Sequence, residues 1–230
     1  MNTTYSNTLS FKDYMSRTYL MVALGLLVST LVAFLMTTSY TLLYMVARSS
    51  LFICLIELGI AIYFSARLQQ MKKSTAYICY FLYSFVTGLT LGIVILSYTS
   101  ASVVMALATT AVLFVCMAII GKTTNVDFTQ FSSLISTGLI TIMIISLLNA
   151  LLFHSRTTDV LISYVMVIIF LVLIAMDTQQ LRRFYDLSNY NDDLRERMMI
   201  MGAFQLYLDF INLFLRVLQI FGRRDDRRSL

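Results

Sequence analysis

The chain has 230 residues, of which 59% are hydrophobic and only 13% charged, and its mean hydropathy is +0.80. Soluble domains run at roughly 45–50% apolar and about 25% charged, so a soluble domain is excluded and an integral membrane protein is indicated. The net charge of +5 does not point to nucleic acid, because the basic residues sit in short connections where they set topology and meet anionic lipid headgroups.

In chain order, residues 1–18 read as a short polar tail that carries Lys12, Asp13 and Arg17. Residues 19–36 form the first predicted span, long enough to cross a bilayer and without a small-residue cleavage site behind it. The second span ends at Phe64 and starts near Leu42 or Leu51, because Arg48 interrupts the apolar run. A basic loop, 67–73, leads to the third span at 75–98, which carries Gly88 and Gly92 four apart, a spacing suited to close helix packing. Spans four, five and six are predicted at 102–120, 131–153 and 160–177. Residues 182–197 mix Arg182, Arg183, Arg195 and Arg197 with Asp186, Asp192, Asp193 and Glu196, and read as a solvated, partly helical loop. The seventh apolar segment covers 198–221, and a basic tail closes the chain at 223–230. The expected architecture is all-α: a single seven-helix membrane domain over residues 19–222.

Pro and Trp are both absent, which favours continuous helices and leaves the 14 Tyr to furnish the interfacial belt. Cys54, Cys79 and Cys116 each lie in an apolar run and read as buried small hydrophobes. Loop charge sets the orientation. Arg67, Lys72, Lys73, Lys122, Arg182, Arg183, Arg195 and Arg197 fall on the side of the N-terminal tail, against Arg48 and Arg156 on the other. The N-terminus is therefore expected in the cytoplasm. The arginines of the C-terminal tail oppose this count, and the side on which that tail ends stays open.

The last segment carries the main functional signal. Gln205, Asp209, Asn212, Arg216 and Gln219 are spaced four, three, four and three, which places them on one helix face. Facing lipid, a mid-membrane Asp or Arg costs roughly 2.5–3.5 kcal/mol, so this helix is expected to be wrapped by the others or to line a wet cavity. Asp177, near the cytoplasmic end of the sixth span, enters from the same side as Asp209 on a consecutive antiparallel helix. If the two helices pack, the carboxyls meet. Two carboxylates in a low-dielectric site do not both ionise cheaply, so the pair is expected to share a proton and to act as a proton sensor. Glu57, alone inside the second span, is a functional candidate or a structural hydrogen-bond partner. Arg67 ends that span and is either a latch to the aspartates or a snorkelling topology residue. Gln205 and Asn212 are supporting polar groups, and Arg216 is expected to anchor the far end. The sequence has no HExxH motif and no membrane His to pair with a Ser. Asp177 is followed by Thr-Gln and Asp209 by Phe-Ile, without the glycines expected of an intramembrane aspartyl protease, so no enzyme activity is expected.

The closing stretch Leu206-Tyr207-Leu208-Asp209-Phe210-Ile211-Asn212-Leu213-Phe214 resembles the last segment of the Bax inhibitor-1 family. Phe85-Val86-Thr87-Gly88-Leu89-Thr90-Leu91 resembles that family's third-span motif, Asp127-Phe128-Thr129 its entry to the fifth span, and Asp177 its sixth-span aspartate. The likeness covers nearly the whole chain and is strongest to the bacterial branch. It implies a bundle in which the first six helices surround the last, in a bacterial plasma (inner) membrane. It also implies a pH-gated calcium or other cation leak controlled by Asp177 and Asp209, which would form a weak, transient calcium site. The family's arginine latch falls on Arg67, with Lys72 as competitor, and Glu57 matches a family acid. No cofactor is implied; the partners are the lipid bilayer and the cation. The alternative is a non-transporting regulator that binds a membrane protease or a death-pathway protein.

Overall fold

The computed structural model describes residues 10–188 and 191–223, and every described element is helical. Seven helices are long and apolar enough to cross a membrane. Their elements are α1 (Phe11–Thr38), α3 (Ser50–Arg67, within the span Ser50–Gln70), α4 (Lys73–Leu96), α5 (Ser100–Thr123), α6 (Ser132–Leu148, within the span Phe128–Phe153), α7 (Arg156–Leu187) and α8 (Asp192–Phe221), with α2 (Tyr40–Arg48) as a short helix before α3. The chain is a multi-pass membrane protein. The expected N-terminal tail is partly helix: Ser10 accepts the Asp13 N–H and starts α1 at Phe11. Phe11 and Tyr14 then pack edge-on against Tyr185. Residues 1–9 of that tail, and 224–230 of the basic C-terminal tail, lie outside the described residues.

The helix ends follow local chemistry. Thr99, Ser155 and Asn191 cap α5, α7 and α8 by accepting backbone N–H bonds. Arg48 does not break the second span at random. The chain bends at Ser49, between α2 and α3, so Arg48 ends the first piece. After α6 one π turn, Asn149–Phe153, leads into His154 with φ 49°. Asn149 secures this bend, donating from Nδ2 to Ser155 O and to Asp159 Oδ1 while its own Oδ1 accepts the Ser155 N–H.

The polar stretch at 182–197 is solvated over most of its charges, as expected, but far more helical than a loop. Helix α7 continues to Leu187 and α8 begins at Asp192, so most of those charges ride on helix ends. Arg195 is almost completely buried, stacked over Tyr185 and paired with Asp192 at 3.2 Å. An arginine tolerates this because its flat guanidinium stacks on a ring while its N–H groups find a carboxylate.

Helix α8 is the centre of the bundle. Of its most apolar stretch 72% is buried, against 6% for α6. It packs chiefly against α1, α4, α5 and α7. Helix α3 reaches it where Phe64 meets Phe204 edge-on, and α6 packs on α7 at the periphery. Glycines allow close approaches between helices. A Cβ on Gly88 would lie 2.7 Å from Val32 Cβ and 2.8 Å from Ser29 O, so α4 and α1 meet there as the spacing predicts. A Cβ on Gly121 would strike the Ala175 carbonyl, which fixes α5 against α7 two residues before Asp177. The cysteines correct a different expectation: Cys54 and Cys116 are exposed on the outer face of the bundle and Cys79 is half-buried. An apolar solvent gives a small hydrophobe no reason to leave that face.

Candidate functional site: a buried pair of aspartates

Asp177 sits on the inner face of α7 among Leu173, Ile174 and Leu181, and Asp209 on the central helix α8. Each is 6% exposed. Their carboxyl groups are within hydrogen-bonding contact of each other. Gln180, one turn along α7, donates its Nε2 to Asp177 Oδ1 at 3.2 Å. Asp209 Oδ2 is buried and meets no donor among the described residues. Ionised carboxylates only accept hydrogen bonds, so two of them this little exposed repel unless a proton or a cation lies between them. One turn earlier on α8, Gln205 Oε1 is likewise buried without a donor among the described residues.

The helices that carry the pair are pinned around it. Tyr207 and Ser29 share a hydrogen bond of 2.6 Å, and the Ser29 hydroxyl lies 2.7 Å from Ser84 O, which joins α8, α1 and α4 at one point. Tyr80 donates to Met21 O at 2.8 Å. At the C-terminal end of α7 Gln179 spans to the turn before α6, accepting the Phe128 N–H and donating to Val126 O. Beside it Arg183 pairs with Asp127 at 3.3 Å. Asp127 lies outside the spans. Hydrogen bonding from the Thr129 hydroxyl, then from the Thr129 backbone N–H, holds its carboxyl below the usual range, with Arg183 adding to the effect.

Glu57 is held away from the pair. Its two oxygens accept from Thr87 Oγ1 at 2.7 Å and from Thr90 Oγ1 at 3.0 Å, both on α4. It lines a cleft of about 140 Å³ that Asn212 of α8 also borders. Asn212 donates its Nδ2 to Leu208 O in its own helix. The stripe on α8 therefore serves two neighbourhoods, with Asp209 turned to α7 and Asn212 to the α3–α4 side. Arg216 sits toward the opposite end, bonded to Gln219 at 3.1 Å with Asp159 as the facing opposite charge. Arg67 is not brought to the aspartates. It is exposed and donates to Gln70 Oε1 at 3.0 Å. Lys72 is exposed as well, at the start of α4. The anchor of that turn is Arg197, which donates to Met71 O at 2.9 Å.

The sequence reading gave no partner to Thr87, Thr90, Gln180, Asp127 or Arg183, which the structure pairs as described above. Thr87 and Thr90 carry a legible signal, two hydroxyls three apart on one face of a span that otherwise needs none. Among the described residues no three His, Cys, Asp or Glu side chains converge, so the acidic chemistry rests on a pair and not on a cage.

The chain is 35% identical over 232 residues to an uncharacterized protein of Rickettsia prowazekii, covering 97% of both chains. It is 34% identical over 217 residues to the inner membrane protein YbhL of Escherichia coli K12, covering 93% of this chain and 92% of that one. An uncharacterized protein of Borreliella burgdorferi is 32% identical over 214 residues, 92% of each chain. The family described as "Inhibitor of apoptosis-promoting Bax1" matches residues 11–226. With that match running from the first turn of α1 to beyond the end of α8, the chain belongs to the Bax inhibitor-1 family of membrane proteins.

Proposed function

We propose that the protein is a pH-gated leak channel for calcium or a similar cation in a bacterial inner membrane, with Asp177 and Asp209 as its proton sensor. The observation that carries this reading is the contact between two buried carboxyls on the most enclosed helix and its principal neighbour. When the pair shares a proton, α7 and α8 are tied and the path is shut. Loss of that proton leaves two like charges in a low-dielectric site. They relax by separating or by admitting a cation. Calcium takes six to eight oxygens, so two carboxylates with the neighbouring Gln205 side chain make a weak, transient site suited to passage. No catalytic role is assigned to any residue. Arg67 acts as a latch only in a state in which it leaves Gln70.

The test is calcium flux into liposomes that contain the purified protein, measured across pH for wild type, Asp177→Asn and Asp209→Asn. Both variants are expected to lose the pH dependence. Wild-type profiles in both would overturn the sensor assignment. Absence of flux from wild type at every pH, with co-purification of a stoichiometric membrane protein, would replace the channel by a regulatory role.

A further inference from the structure

A second cavity, of about 260 Å³, opens at the end of the bundle that carries the basic loop, between the first turns of α1, α4 and α8. Tyr14, Arg17, Tyr77, Arg195 and Glu196 border it, and Leu20, Met21 and Met199 supply an apolar wall. Tyr14 is 1% exposed, yet its hydroxyl has no hydrogen-bond partner among the described residues. A buried phenol normally finds one. The Arg195 guanidinium lies close enough to act on it electrostatically. Arg17 is exposed and forms no ion pair among the described residues. The one acid on the wall, Glu196, is already paired with Lys73 at 3.6 Å. Leu20, 59% exposed, continues the apolar wall onto the bilayer-facing surface of α1.

We propose that this cavity binds the phosphodiester of a membrane phospholipid in the leaflet at that end. A phosphate oxygen accepts the Tyr14 hydroxyl proton as a hydrogen bond, Arg17 supplies the countercharge, and one acyl chain lies along Leu20. Charge selects the phosphate and the apolar wall selects the lipid over a free ion. The site is separate from the aspartate pair and does not depend on its role.

The test titrates the detergent-purified full chain with phosphatidylglycerol under native mass spectrometry, with diacylglycerol and inorganic phosphate as separate arms. Wild type is expected to retain phosphatidylglycerol and to lose diacylglycerol. Tyr14→Phe, which keeps the ring against Tyr185, and Arg17→Gln are each expected to weaken retention about ten-fold, the scale of a hydrogen bond to a charged group. Arg48→Gln, a charge removed at the opposite end, is expected to bind as wild type does. Arg17→Gln lies on the surface, so it decides the matter even if Tyr14→Phe fails to fold. Equal retention of diacylglycerol, wild-type binding by Arg17→Gln, or a loss in Arg48→Gln equal to that in Arg17→Gln would each overturn the site. Displacement of the lipid by millimolar phosphate would make it a free-phosphate site and overturn the lipid assignment.

Discussion

Asp209 on the central helix meets Asp177 on α7 carboxyl to carboxyl, each 6% exposed, while Arg67 points away to Gln70. A buried acid would ordinarily be neutralised by a cation side chain. Here its neighbour is another acid, so the helix contact joins two groups that repel when both are ionised.

Asp209→Asn tests the tie directly. An amide N–H donates permanently to the Asp177 carboxylate, which imitates the shared proton. The variant is expected to give a low calcium flux that does not vary with pH in liposomes. Asp209→Ala removes the tie without a substitute, and it is expected to leak more than Asp209→Asn at every pH. The reverse order would show that the contact does not close the path.

Glu57 gives an energetic prediction. Thr87→Val keeps the shape of the side chain and removes the 2.7 Å donor to Glu57. The expected loss is about 1–3 kcal/mol, because the acceptor is an ionisable group left short of a partner. The measurement is thermal unfolding in detergent, completed as a cycle with Glu57→Gln. A coupling energy indistinguishable from zero would mean that the bond contributes nothing.

These residues mark how far sequence reaches. The stripe from Gln205 to Gln219 is legible because helix periodicity alone fixes which residues share a face. The meeting of Asp177 and Asp209 is legible because both lie on consecutive antiparallel helices entered from one side. The polar face of Thr87 and Thr90 is legible too, but not that it meets Glu57, since a bond between α3 and α4 depends on how those helices rotate. Nor is the burial of Arg195: a run of mixed charges reads as solvent-exposed until Tyr185 and Asp192 are seen to enclose it. The contact of Arg67 with Gln70 depends on the short turn after α3, which local pattern does not define.

Packing beside the site supplies a third prediction. Gly121→Ala places a Cβ against the Ala175 carbonyl, so α5 and α7 must move apart close to Asp177, which lies two residues beyond Ala175. The expected cost is about 1–3 kcal/mol, together with an altered pH profile of flux. Gly138→Ala is the comparison: a Cβ there meets nothing within 4 Å. Its stability is expected within about 1 kcal/mol of wild type, on the stabilising side. Equal losses in both would show that the cost is not local to the α5–α7 contact.

Asp127 separates stability from gating by pH. Its folded pKa is lowered from 3.8, first by the Thr129 hydroxyl bond. A lowered acid contributes stability that is present above the unfolded pKa and is lost as pH falls through the folded one. Protonation of Asp127 therefore changes nothing between pH 8 and about 5, and any flux response in that window must come from other groups. Asp127→Asn is expected to lower the melting temperature by the same amount at pH 7 and pH 5, with the difference closing only below about pH 4. It is expected to leave the pH midpoint of flux where wild type has it. A shifted midpoint would instead assign some of the sensing to the clamp that Asp127, Thr129 and Arg183 form over the C-terminal end of α7.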